Sequence, residues 1–192
     1  MAQLPEISFW FLRHGQTDYN AAGLTQGILD VDLNEVGRTQ ARLAAPHLAG
    51  RGIGSIICSS MRRAKQTAEI VNELLHVPIM YEAELREASF AGKEGLSPQP
   101  WFPDWVAGHY TPENAESFAD VMKRVQAALW KVLPGRKEPA LIVAHGGVLR
   151  AIRALMGLPK EEFTGNAIPL YCEPTTKGWQ INEPESVDRV NL

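Results

Sequence analysis

The chain has 192 residues, 45% of them apolar and 21% charged, with a formal net charge of −3 and a pI near 6.0. That balance excludes a broad basic face for nucleic acid or for an acidic membrane surface, so any phosphate recognition has to be local. The two cysteines, Cys58 and Cys172, suit a reducing compartment better than a disulfide framework. The first residues lack the basic start and apolar core of a signal peptide, and no run of about 18 apolar residues could span a bilayer, so the expectation is a cytoplasmic protein. At this length one domain over residues 1–192 can bury a full core.

Phe9-Trp10-Phe11-Leu12 reads as a strand buried on both faces. It ends in Arg13-His14-Gly15: a fixed cation, a side chain able to act as nucleophile or base near neutral pH, and a residue that lets backbone approach a ligand. Ligands of an open α/β sheet sit beyond the carboxyl ends of its strands, so the tripeptide reads as a phosphate site. Gln16 to Asp32 has no period and reads as a loop over that site. Asn34 is a good N-cap for a helix running to Gly50, in which Pro46 predicts a kink or an early last turn between 42 and 46.

The glycines at 50, 52 and 54 follow a helix and open a strand, the reverse of a dinucleotide fingerprint, and read as turn residues. The strand Ser55 to Cys58 comes next. Ser59 and Ser60 are the expected caps of a helix whose apolar face, from Ala64 to Leu74, runs to about His76. A short strand, Val77 to Tyr81, precedes an aperiodic stretch from Ala83 to Pro112 that is rich in proline and aromatics. Glu116 to Leu133 is helical, and Ala140 to Ala144 is a strand that delivers His145-Gly146-Gly147 just as the first delivers Arg13-His14-Gly15. A helix from Val148 to Met156, a strand pair at Ile168–Cys172 and Gly178–Asn182, and a polar tail of ten residues complete the chain.

The order of motifs is more specific than any one of them. Leu12-Arg13-His14-Gly15-Gln16-Thr17 with Asn20 comes first, then Gln26-Gly27, Asp30 and Leu33. Ser59 follows, with Arg63-Ala64 and Thr67-Ala68 beyond it, then Leu85 with Glu87, Glu94-Gly95, and Ala144-His145-Gly146-Gly147. This series resembles the histidine phosphatase superfamily, which includes the cofactor-dependent phosphoglycerate mutases. The resemblance implies a three-layer α/β/α sandwich with a mixed, mainly parallel sheet. It also implies a metal-independent phosphatase, without cofactor, that hydrolyses small phosphomonoesters through a phosphohistidine on His14. His145 is then the partner across the phosphate, Arg13, Asn20, Arg63 and Gly146 bind the phosphate, and Glu87 protonates the leaving oxygen. A histidine attacks phosphorus only while one ring nitrogen is unprotonated, and neighbouring guanidiniums favour that state while matching two phosphate oxygens each. His47, His76 and His109 have no metal-ligand spacing and read as surface or packing residues, and Arg62 as a solvated charge.

Residues 88–117 read as an inserted, lid-like segment. Pro98, Pro100, Pro103 and Pro112 argue against regular structure there, so some of its aromatics, Phe90, Trp101, Phe102, Trp105 and Tyr110, are expected to face the pocket, with Trp101, Trp105 and Tyr110 joining Thr17, Gln26 and Gly27 as lid residues. Lys93 is the segment's only formal cation, and Leu24 stands where the family often has an arginine. The expected partner is therefore a small phosphorylated metabolite, a mono-anionic ester with an uncharged or apolar remainder, with water as acceptor. The alternatives are a phosphoglycerate mutase, a protein phosphohistidine phosphatase, and a non-catalytic phosphate-binding module.

Overall fold

The computed structural model describes residues 4–98, 100–162 and 164–184. Its six strands are β1 (Phe9–Arg13), β2 (Ser55–Ser59), β3 (Ile79–Glu82), β4 (Ala140–Ala144), β5 (Pro169–Thr175) and β6 (Gly178–Asn182). They form one sheet in the order β3-β2-β4-β1-β5-β6. The first four are mutually parallel, and β5 and β6 extend the sheet antiparallel beyond β1.

Alternation along β1 divides the core in two. Phe9 and Phe11 pack with Ile57 and Ile142 under the helices α4 (Trp101–Ala107), α5 (Phe118–Val132) and α6 (Gly146–Leu155). Trp10 and Leu12 point the other way, with Ile56, Cys58 and Val143, under α2 (Glu35–Leu48) and α3 (Arg62–Leu75). The result is the expected three-layer α/β/α sandwich, in which central strands buried on both faces read as unbroken apolar runs.

Four local expectations are corrected. The loop from Gln16 to Asp32 contains one helical turn, α1 (Asp18–Ala21), because Thr17 and Asn20 cap each other reciprocally. Pro46 does not end α2 early: the helix continues to Leu48, since Pro46 removes a single amide in the last turn while Ala44, Ala45 and Leu48 are buried against the sheet. Neither Ser59 nor Ser60 caps α3, whose N-cap is Met61. Ser59 belongs to β2, and Asp30 reaches across from the loop to accept the Arg62 N–H at 2.7 Å. Finally, a regular helix, α4, forms inside the proline-rich stretch. Pro103 sits in its first turn, where the missing N–H has no helical partner to lose. The predicted polar tail falls mostly on 185–192, outside the described residues.

Candidate active site

Parallel pairing sets Arg13 opposite Ala144, and His14 N–H continues the ladder to the Ala144 carbonyl at 2.9 Å. His14 and His145 therefore leave the sheet side by side, with ring centroids 5.2 Å apart and both rings buried. His14 Nδ1 lies 2.7 Å from the Gly15 carbonyl, an atom that can only accept. The ring proton is thus on Nδ1 and the lone pair on Nε2, to which Arg63 Nε donates at 3.2 Å. Gly15 is required by close approach: a Cβ there would lie 2.3 Å from the Gly37 carbonyl at the start of α2. Arg63 also fixes the loop over the site, donating to the carbonyls of Leu29 at 2.7 Å and Gly27 at 2.9 Å.

Burial, then the guanidiniums of Arg63 and Arg13, hold the His14 pKa well below the usual imidazole value. Burial, then Arg63, His14, Arg13 and Arg124, do the same for His145. Burial lowers Arg63 to about 10, against the opposing pull of Glu87 and Asp30, so it stays a cation at neutral pH. Two neutral histidines have a consequence for stability. Below pH 6.5, the ordinary imidazole value, the unfolded chain takes up two protons that the folded chain does not. Stability is then fully present above that pH and falls as pH drops, by about 1.4 kcal/mol per group per pH unit. Urea unfolding of the phosphate-free protein should show a loss of roughly 3 kcal/mol between pH 7.5 and 5.5. A flat profile across that window would rule out neutral buried rings.

His145 Nε2 lies 2.7 Å from Ser59 Oγ. That oxygen accepts the Met61 N–H at 3.4 Å, so its own proton is available for Nε2. The contact with Ser59 fixes the orientation of the His145 ring, whose Nδ1 is buried with no hydrogen-bond partner among the described residues. Ser59→Ala removes that constraint and is expected to lower kcat about tenfold. Loss of stability alone, with kcat unchanged, would leave Ser59 a structural residue.

Glu87 is held at the start of α6: its Oε2 accepts the Gly147 N–H at 3.0 Å and its Oε1 the Ala88 N–H at 2.9 Å. Gly147 has to be glycine for this, because a Cβ there would stand 2.2 Å from Oε1. The turn that carries Glu87 is fixed from α5 by Arg124, which donates to the carbonyls of Glu84 at 2.6 Å and Arg86 at 2.8 Å and pairs with Glu116. Arg13 stands against Gly146 and donates to the Thr164 carbonyl at 3.0 Å.

Arg13, His14, Asn20, Gln26, Gly27, Arg63, Glu87 and Gly146 all line one cavity of about 370 Å³. His145 stands behind this wall, against His14. Thr17 is also off the wall, buried with its hydroxyl 2.9 Å from Gln26 Oε1, so it supports the lid rather than forming its surface. The aromatic expectation is corrected further. Trp101 and Trp105, four apart on one face of α4, are buried in the core, where Trp105 Nε1 donates to the Glu116 carbonyl at 2.8 Å. Tyr110 is 42% exposed and lies beyond the Gly108 cap that turns the chain away from the cavity. Among the described residues the aromatics on the wall are Phe90 and Phe102. Sequence reasoning missed Arg150 and Asn166, which also line the cavity; Asn166 Nδ2 donates to the His14 carbonyl at 2.9 Å. Lys93 is not on the wall, so the cavity's cation beyond the phosphate end is Arg150, from α6.

A buried histidine with one ring nitrogen tied back to a carbonyl, Arg63 at the other and Arg13 on the same cavity wall is an arrangement suited to phosphoryl transfer. Residues 9–187 match the family model of the histidine phosphatase superfamily, branch 1. A probable phosphatase of Schizosaccharomyces pombe is 34% identical over 185 residues, covering 93% of this chain and 87% of the relative. The uncharacterized phosphatase PhoE of Bacillus subtilis is 34% identical over 179 residues, covering 90% and 91%. Among solved structures, a mycobacterial glucosyl-3-phosphoglycerate phosphatase in complex with VO3 superposes with a TM-score of 0.78 at 32% identity, covering 92% of this chain and 97% of the other. The chain belongs to the histidine phosphatase superfamily and is a phosphoric monoester hydrolase.

Proposed function

We propose that this enzyme hydrolyses small phosphomonoesters by way of a phosphohistidine at His14 Nε2, without a metal, and passes the phosphoryl group to water. The observation that carries this is the Nδ1 contact with the Gly15 carbonyl, which leaves Nε2 as the ring's nucleophilic atom. In the first step the Nε2 lone pair forms the N–P bond, the ester P–O bond breaks, and Glu87 gives the leaving oxygen a proton. In the second, water attacks phosphorus, the N–P bond breaks, and the Glu87 carboxylate takes the water's proton. Arg13 and Arg63 stabilise charge on the equatorial oxygens throughout, and His145, packed against His14, supports the nucleophile's ring from behind the wall. Relatives named as phosphatases support water as the acceptor. Turnover of para-nitrophenyl phosphate in excess chelator is the direct test. Full activity is expected, and activity abolished by chelator would sink the metal-free reading.

A further inference from the structure

We infer that Arg150 is a specificity residue that recognises a second anionic group, such as a carboxylate or a further phosphate, on the leaving portion of the substrate. The inference rests on the hydrolase reading above and names the substrate class of the same site.

Arg150 follows Gly146 by four residues on α6, so both lie on one face of the helix, about 6 Å apart along its axis. Gly146 and Arg13 line the phosphate end of the cavity, where a Cβ on Gly146 would stand 3.6 Å from Arg13 Nε, and Arg150 lines the same cavity one helical turn along α6. A group a few bonds from the phosphorus therefore reaches it. The same cavity has apolar lining from Leu149, Phe90 and Phe102, which accommodates a carbon skeleton. The guanidinium is already oriented: Nη1 donates to the Lys160 carbonyl at 2.7 Å, and the group lies 5.5 Å from the centre of the Phe102 ring.

Among the described residues Arg150 forms no ion pair, whereas Arg62 pairs with Asp32, Arg124 with Glu116, and Arg153, one turn along α6, with Glu162. Glu162 also lines the cavity, but its charge is taken up by Arg153. A half-buried guanidinium in a substrate cavity, held by a carbonyl and an aromatic face and attracted by Glu87 and Glu161 without an ion pair to either among the described residues, fits a planar anion. The expectation of an uncharged remainder rested on Lys93 being the lid's lone cation, and Arg150 comes from outside the lid.

The test compares matched esters that differ only in the second charge: phenyl phosphates bearing a carboxylate or a carboxamide at the meta or para position, and 3-phosphoglycerate against glycerol 3-phosphate. The parent enzyme should favour the anionic member of at least one pair by roughly tenfold or more in kcat/KM, the effect of a charged hydrogen bond. Arg150→Gln keeps an N–H for the Lys160 carbonyl and should bring that ratio to near one, through a rise in KM for the anionic member of the pair. Ratios at or below one in every pair would overturn the inference, as would equal losses on both members in the variant, which is what a purely structural role predicts. Failure of the hydrolase reading is distinguishable, since it removes phosphate release from all the esters alike.

Discussion

His14→Ala is expected to lower kcat on every phosphate ester by roughly 10⁴-fold or more, the scale on which removal of a covalent nucleophile is felt. The variant should still fold. The ring is buried, but its side-chain hydrogen bonds are to the adjacent Gly15 carbonyl and Arg63 Nε, and the Arg63 Nη groups that fix the overlying loop bond to Leu29 and Gly27. Orthovanadate should bind the variant more weakly than the parent without losing binding altogether, because Arg13, Asn20 and Arg63 remain on the cavity wall. A folded His14→Ala enzyme within tenfold of the parent would remove His14 from the reaction.

Glu87→Gln gives the second large effect, and its signature is a difference between substrates. Alkyl phosphates release a poor leaving group that needs a proton, so their kcat should fall by about 10² to 10⁴. An activated aryl phosphate departs without much help and should lose less than about tenfold. The substitution also disturbs an anchor: both Glu87 oxygens accept backbone N–H groups, from Ala88 and Gly147, and an amide offers only one acceptor. Thermal stability is therefore measured alongside, and vanadate affinity reports whether the cavity survives. Equal losses on alkyl and aryl substrates would count against proton donation.

The pair of His-Gly strand ends was legible because it follows from rules that act locally. A continuous apolar run is a buried strand, and in a parallel pair the residues after such strands emerge together, as Arg13 opposite Ala144 shows. Arg63 was legible only through the spacing of its motif. What stayed hidden depends on contacts between distant segments. Arg124 sits in an amphipathic helix and looks like a surface charge, yet it is buried and holds the carbonyls of Glu84 and Arg86. Arg150 likewise lies in an apolar helix, and only the placement of α6 along the cavity makes it part of the wall. Trp101 and Trp105 were misread because proline was counted against a helix without regard to position. Pro103 is compatible with a first turn, and the four-residue spacing of the two tryptophans then points both into the core. Ser59 reads as a helix cap in the sequence because its hydroxyl partner, His145, lies 86 residues away in the chain.

The most direct measurement is chemical trapping of the intermediate. The enzyme is mixed with a phosphorus-labelled aryl phosphate in excess chelator, quenched in alkaline detergent at times shorter than one turnover, and digested for peptide mapping. A phosphohistidine mechanism requires protein-bound label that is stable to base and lost in acid. The label must lie on the peptide containing His14, disappear as free phosphate forms, and be absent from His14→Ala. Steady release of phosphate with no label on the protein, or label on any other residue, would contradict it.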